Sequence, residues 1–393
     1  SEMCIRDRKR RKNMEKVKIL WSGITGRTGK EAVEIAKESG SVEISAGLSR
    51  SNENYYNYDE LDNIKEDFDV IVDFSHKDSF DKVLDFALKV KKPIVIGTAG
   101  LTEEQMKRFE EASKIIPVFR GGNFRFDVKK FIDEVVEYAK KSEKESFDLI
   151  ETHYKTKKVP SETAKVVAKR VLEETGKQVN IKSFLEYDEL INDWKTDDLR
   201  CRVIGFKELA ENVLEIARMM KDKTASGVYD LDRLLKEQEL IDLQNFLIEA
   251  KKETYANGTA EKVKSTRRGS RDYEYIKDNW TYHDTYFGGI DFQGQEVVYQ
   301  QDDTPIWGMV YYGRTLDESL SEEAMDKVLR PALMQVGQDD TIPVRGPKEF
   351  ENQGYKYTFK VTGDLTNFEG EETIEKEGKE IYTLKCHGGM IRK

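Results

Sequence analysis

The sequence predicts an α/β chain: a doubly wound parallel sheet, then a reduced α+β domain, then a separate C-terminal α+β domain from position 240. Three observations carry this. Short continuous apolar runs, VKILWSG, DVIVDFS and PIVIGTAG, alternate with amphipathic segments of helical period from position 16 onward. Such runs suit strands buried on both faces and joined by helical crossovers. A glycine-rich turn follows the first run directly, and after position 238 the character shifts to alternating segments dense in tyrosine and glycine. At 393 residues the chain exceeds what one core usually supports, so two or three domains are expected.

Taken in order, the first strand (VKILWSG) leads through ITGRTG into the helix KEAVEIAKES, and a second strand, VEISAGLSR, follows. Beyond a polar loop come the strand DVIVDFS, the helix SFDKVLDFALKVKK and the strand PIVIGTAG. A strand near 116–119 and a helix through 133–141 close this part. A helix ends near Glu174, with Gly176 as its stop. The segment 177–208 has room for two or so strands, and Trp194 and Cys201 within it read as core. Helices are expected at 208–221, 231–235 and 240–252. In the last part EVVYQQDDTPIWGMVYYG reads as a hairpin turning at Asp302-Asp303, with further strands in YKYTFKVTG and EIYTLKCHGG. The domain boundaries expected are 14–122, 123–236 and 240–393, with the terminal helices of the second domain packing back on the first. Residues 1–13, basic and aperiodic, read as a disordered or non-native extension.

The 65 Lys and Arg against 75 Asp and Glu give a net charge of −10, which argues against a nucleic-acid binder. A local basic pocket for a small anion is untouched by that argument. Cys4, Cys201 and Cys386 are odd in number and far apart, so no disulfide framework is expected and a reducing cytoplasm is the natural compartment. No apolar run approaches the roughly 20 residues that span a bilayer, so no membrane partner is expected.

The turn Gly23-Ile-Thr-Gly26-Arg27-Thr28-Gly29 sits between a strand and a helix, where a dinucleotide fingerprint belongs. Glycines there let backbone amides and a helix N-terminus approach a pyrophosphate. Its spacing, GxxGxxG, is a modest signal alone, since the glycines also suit a plain tight turn. Its place after the first strand of a βαβ series makes the sheet Rossmann-like. The second strand ends Gly47-Leu48-Ser49-Arg50-Ser51, without the acid that binds a ribose 2′-hydroxyl. A guanidinium pairs bidentately with phosphate, so Arg50 favours NADPH over NADH, unless it is only an exposed loop residue.

With these motifs, Val72-Asp73-Phe74-Ser75, Gly97-Thr98-Ala99-Gly100, Gly122-Asn123-Phe124 and ETHYKTKKVPSETAKVVAK at 151–169 follow one another. In this order they resemble dihydrodipicolinate reductase over about 16–235, and SGVYDLDRLL is similar to that family's C-terminus. The resemblance implies reduction of a cyclic imine dicarboxylate by NAD(P)H on the diaminopimelate route to lysine. It implies a cofactor domain followed by a substrate domain. Gly97, Thr98, Asn123 and Phe124 would line the nicotinamide, and Phe74 and Gly100 would also bind the cofactor. His153 would donate a proton, and Lys157 would clamp a carboxylate. Tyr154, Ser161 and Thr163 would complete the substrate site, and no metal is implied. The family's tetramer does not carry over to so small a substrate domain, although a homo-oligomer is compatible with it.

Two departures bear on this. Tyr154 replaces a second histidine, though its hydroxyl still donates, and Glu162 stands where the family has glycine. At 4 Å and an effective dielectric of 20, a carboxylate there would repel a bound carboxylate by about 4 kcal/mol. Pointing outward, it would only support the helix start; Lys155 or Lys158 could also neutralise it. Arg125 and Asp127 replace residues that are usually small in the family. The alternatives are therefore a non-catalytic NAD(P)-binding sensor and a reductase of a less acidic imine.

Residues 240–393 resemble a small bacterial domain of unknown function in AKKETYA (250–256), DTYFGG, IWGMVYYG, RGP and HGG. Trp307, Tyr311 and Tyr312 read as core before cleft, and Arg314 and Arg345 as surface pairs before anion ligands. His283, Cys386 and His387 make only a weak metal signal.

Overall fold

Apolar runs too short for helices form five strands: β1 (Val17–Ser22), β2 (Val42–Leu48), β3 (Val70–Asp73), β4 (Ile94–Ile96) and β5 (Pro117–Arg120). A sixth, β10 (Gly227–Tyr229), comes from much later in the chain. In this computed structural model they build a parallel sheet in the order β10-β5-β4-β3-β1-β2. The structure describes residues 16–121, 124–317 and 325–392; the extension expected at 1–13 and Asn123 lie outside these residues. The chain divides into two compact units, Ser1–Lys236 and Glu237–Lys393.

Alternate side chains of the sheet feed two cores. On one face Ile19, Trp21, Val70, Val72, Val95 and Phe119 pack with α1 (Arg27–Glu38). Helix α6 (Lys207–Met220) covers the same face, burying Ala210, Val213, Ile216 and Ala217 there. On the other face Leu20, Ile71, Ile94 and Val118 pack with α2 (Lys77–Val90) and α3 (Glu103–Ser113). Strand β1 has β2 on one side and β3 on the other, so the topological switch lies at its C-terminal end, where ligands of such sheets sit.

A second sheet in the same unit has the order β7-β6-β8-β9, from β6 (Ser146–Tyr154), β7 (Gln178–Tyr187), β8 (Ile191–Lys195) and β9 (Arg200–Ile204). Three strands thus occupy the segment expected to hold two, because β8 and β9 are only five residues each and pair through a short hairpin. Helix α4 (Phe126–Lys141) starts seven residues ahead of the expected segment, and α5 (Glu162–Thr175) crosses from β6 to its parallel neighbour β7. Gly176 ends α5 with φ +72, as a left-handed cap should. The two helices and this sheet share a core that includes Val128, Phe131, Leu149, Val167, Trp194 and Cys201.

The helices expected at 231–235 and 240–252 are a single helix, α7 (Leu231–Glu253). The intervening KEQE contains only strong helix formers, with no glycine or proline to stop it. In the second unit an eight-stranded antiparallel sheet runs β11-β12-β13-β14-β18-β17-β16-β15. Its strands are β11 (Arg271–Lys277), β12 (Trp280–Gly288), β13 (Phe292–Gln300), β14 (Pro305–Thr315), β15 (Glu349–Asn352), β16 (Tyr355–Asp364), β17 (Asn367–Lys376) and β18 (Lys379–Met390). The β13–β14 turn carries Asp303 at φ +59, at the hairpin tip read from the sequence. Leu243, Phe246, Leu247 and Ala250 of α7 join the core of this sheet.

Candidate active site

The turn after β1 is shaped by two glycines that nothing larger could replace. Gly23 has φ +81, and a Cβ there would lie 2.3 Å from the Phe74 carbonyl oxygen. A Cβ on Gly29 would lie 2.5 Å from the Ile24 carbonyl oxygen. Gly26 is exposed at the N-cap of α1, where no side chain caps the helix and no acid stands in the first turn. The first amides of α1 are thereby left for an anion, with Thr28 buried beneath them and the exposed Arg27 stacked 4.4 Å from the Phe206 ring.

The ends of β3 and β4 meet the same place. Gly97 is pressed against Phe74, whose ring would lie 2.3 Å from any Cβ added there. Phe74 in turn packs on Trp21 at 5.8 Å and on Phe124 at 5.1 Å. Beneath them Asp73 is fully buried and takes hydrogen bonds from Ser75 Oγ (2.6 Å) and Thr98 Oγ1 (2.7 Å). Burial pushes its carboxyl above the usual range, and the hydroxyls offset part of that. Asp73 thus ties the turn after β3 to the loop after β4. Gly100 is left-handed at φ +74 and open to solvent. Arg50 is exposed just past β2 and lies 3.9 Å from the Asp78 carboxylate.

The uncapped α1 N-terminus, the glycines without room for a Cβ and the aromatic wall at Phe74 fit a dinucleotide. In that fit Gly23–Gly29 would hold the pyrophosphate and Gly97, Thr98 and Phe124 would flank the reactive ring.

The second constellation grows from β6, whose inward residues alternate Phe147, Leu149, Glu151 and His153. His153 Nε2 bonds Glu151 Oε2 at 2.9 Å, and the ring meets Trp194 edge-on at 5.3 Å. Both residues are fully buried, and among the described residues His153 Nδ1 has no partner. Glu151 also accepts from the Ser161 amide (3.0 Å), Ser161 Oγ (2.5 Å) and Ser183 Oγ (2.6 Å). Although burial opposes it, His153 and these donors hold the Glu151 carboxyl down to about 2. Glu151 therefore accepts, and Nε2 carries the hydrogen of that bond.

Ser161 is buried and committed to the scaffold. Its hydroxyl caps α5 through the Ala164 amide (3.2 Å) and accepts from Trp194 Nε1 (3.0 Å). Thr163 follows in the first turn, half-buried. Lys157 is half-buried, 5.8 Å from the Tyr154 ring centre, and among the described residues its ammonium makes no hydrogen bond or ion pair. Burial lowers its pKa, opposed by the charges of Glu151 and Glu162. Glu162 points to solvent and pairs with Lys165 at 2.7 Å. Arg125 is buried and bonds Glu208 (2.9 Å) and the Gly205 carbonyl (2.7 Å), fixing the start of α4 to the approach to α6. Sequence reasoning missed Glu151 and Asp73. The signal for Glu151 was its phase, two residues before His153 on the buried side of an alternating strand.

In the C-terminal unit Trp307 is core, donating to the Leu365 carbonyl, whereas Tyr312 is exposed and Tyr311 reaches a cavity. Arg345 is not a surface pair: it is buried and bidentate to Glu372, both bonds 2.9 Å. His283 lies on β12, with two strands between it and the Cys386-His387 pair on β18, and bonds Asp272 instead (2.9 Å). Among the described residues no group of three potential metal ligands gathers.

Comparison with known proteins bears on both units. Residues 17–124 match the family of the dihydrodipicolinate reductase N-terminus, and residues 284–391 match a domain of unknown function, DUF5680. The 4-hydroxy-tetrahydrodipicolinate reductase of Caldanaerobacter subterraneus subsp. tengcongensis is 36% identical over 155 residues, 39% of this chain and 62% of that protein. That of Zymomonas mobilis is 32% identical over 165 residues, 42% of this chain and 65% of that protein. In both the chain spans less than two thirds of the relative's length. At 25% identity the Clostridium perfringens reductase aligns over 56% of this chain and 98% of its own. A dipicolinate-bound dihydrodipicolinate reductase from Paenisporosarcina sp. TG-14 superposes on 55% of this chain and 98% of its own, at 16% identity and a TM-score of 0.42. The first unit therefore resembles dihydrodipicolinate reductase, and the second resembles a domain without assigned chemistry.

Proposed function

We propose that the first unit is an NAD(P)H-dependent reductase of the dihydrodipicolinate type, acting on a cyclic imine dicarboxylate, with NADPH the favoured cofactor. The observation that carries the proposal is the β6–α5 network, in which an ionised Glu151 orients His153 and, among the described residues, leaves one buried ring nitrogen without a partner. A structural histidine in a basic turn would have its second nitrogen hydrogen-bonded or solvated.

When bound, the nicotinamide supplies the hydride to the ring carbon of the conjugated imine. The electron pair displaced by that addition must take up a proton. His153 holds the proton at Nδ1, and Glu151 at Nε2 fixes the ring and balances its charge while it is protonated. Lys157 offers a partly desolvated ammonium to a substrate carboxylate, where the attraction is stronger than in water. Tyr154 and the first turn of α5 at Thr163 complete the anion site. Glu162, turned to solvent, leaves that helix N-terminus open, which supports an enzyme over a closed sensor.

The test is NADPH oxidation by residues 14–393 with freshly generated substrate precursor, compared with His153→Ala and Lys157→Ala. Turnover should fall by about 10²–10⁴ in the histidine variant. In the lysine variant KM should rise. Tight NADPH binding with no turnover on the dicarboxylate, across repeated substrate preparations, would sink the assignment; activity on an imine lacking one carboxylate would redirect it.

A further inference from the structure

The C-terminal unit contains a cavity of about 280 Å³, lined from α7, the inner face of the sheet and the segment around Arg330. That volume lies near the lower end of small-molecule sites, roughly 300–1,000 Å³. Inward positions of such a sheet ordinarily carry apolar residues, and Tyr282, Tyr286 and Phe292 conform. Asp284 and Glu296 do not. They stand directly opposite each other on β12 and β13, each 3% exposed.

The charges around them do not balance. Glu296 is ion-paired with Lys251, and Arg345 is taken by Glu372. Among the described residues Asp284 has only a neutral donor, the Tyr311 hydroxyl at 2.7 Å. Burial, and then the charge of Glu296, push its carboxyl above the usual range; Tyr311, Lys251 and Arg345 pull the other way. A buried carboxylate without a cation is costly, and a ligand cation would relieve it. At the outer end the sign reverses. Lys262 and Arg271 are exposed and, among the described residues, form no ion pair. Arg330 gives one nitrogen to Asp326, but its Nε is buried without a hydrogen-bond partner among the described residues, 5.2 Å being the distance from its guanidinium to the Tyr255 ring. At its buried end the cavity holds one carboxylate more than the cations Lys251 and Arg345 offset, Glu372 being taken into account, and its outer end carries Lys262, Arg271 and Arg330 against Asp326, with aromatic rings between.

We propose that this cavity binds a small zwitterion with a flat apolar body, an amino acid in the chemical sense, its ammonium on Asp284 and its carboxylate toward Arg330, Lys262 and Arg271. A simple anion would face Asp284 at the floor. A simple cation would leave the rim unanswered, and a neutral ligand would leave both. The site belongs to the second unit and does not depend on the reductase reading.

Isothermal titration of the full chain with three probes sharing one phenyl body tests the proposal: L-phenylalanine, 2-phenylethylamine and 3-phenylpropanoate. L-Phenylalanine should bind most tightly, 2-phenylethylamine about tenfold more weakly, and 3-phenylpropanoate most weakly. Asp284→Asn should weaken the first two by about tenfold or more and should strengthen the third or leave it no weaker. The proposal fails if 3-phenylpropanoate or 2-phenylethylamine matches L-phenylalanine, if none binds, or if folded Asp284→Asn binds L-phenylalanine like the parent. Should that variant unfold, the ranking of the three probes on the parent chain decides alone.

Discussion

Glu151 keeps its charge in a fully buried position because hydroxyls, an amide and an imidazole all donate to it. Its ordinary carboxyl value of 4.5 falls to about 2 in the folded chain. A lowered folded pKa stabilises the fold above the unfolded value, and that stabilisation drains away as pH falls through the folded one. The chain should therefore lose up to about 3 kcal/mol between roughly pH 4.5 and 2. Acid unfolding followed by circular dichroism should show this loss, and Glu151→Gln should flatten it. The variant should also cost about 1–3 kcal/mol at neutral pH, because the amide nitrogen faces donors. Arg50 makes a separate prediction. Its guanidinium is exposed and, among the described residues, held only by a long contact to Asp78. Arg50→Ala should raise KM for NADPH by about tenfold and leave NADH nearly unchanged, since only the former carries a 2′-phosphate. Equal effects on both would make Arg50 an ordinary loop residue.

At the scale of the element, the decisive feature is how α5 begins. Ser161 caps it from inside the network, while Glu162 occupies the first turn on the solvent side. A carboxylate there stabilises the helix through its dipole by about 0.3–1 kcal/mol. Glu162→Gln should therefore lower stability by no more than about 1 kcal/mol. It should leave KM for the proposed dicarboxylate within about twofold, because a solvated charge is screened from the site. A tenfold improvement in KM would mean that the side chain faces the substrate after all. The helix α1 follows the opposite logic. With no side-chain cap, its first amides await an anion, and Gly23 and Gly29 keep the turn close enough to present them.

For the whole molecule, the cores are the informative features. Three clusters lie within the first unit, and a fourth, from Leu243 to Cys386, lies within the second. Among the described residues none of these clusters draws on both units, although α7 is continuous across the boundary. Calorimetry should resolve two unfolding transitions. NADPH should raise only the one that belongs to the first unit, by linkage. A single transition, raised as a whole by NADPH, would mean that the units unfold as one. None of the described helices is long and apolar enough to cross a membrane.

The sequence by itself determined the parallel sheet, the glycine turn and the order of the motifs, because each is written in local spacing. Runs of Val and Ile need only their own neighbours to read as buried strands, and Gly23 and Gly29 announce a turn wherever they stand. It also marked His153 and Lys157 as candidates. Only the tertiary structure decided what surrounds them. Glu151 meets Ser161 and Ser183 across ten and thirty-two positions of chain, and no local pattern reports such a meeting. The direction of Glu162 was equally undecidable, since an N-terminal helix residue can face inward or outward until the sheet behind it is placed. Arg345, an exposed pair from its neighbours, became a buried one because Glu372 comes to it from another strand. The join at 236–240 went the other way: the residues there favour helix, and the expected break rested on a change in composition rather than on any residue able to stop one. Local spacing fixes what an element is, while the partners of a buried charge are set by chain segments that meet only when the fold closes.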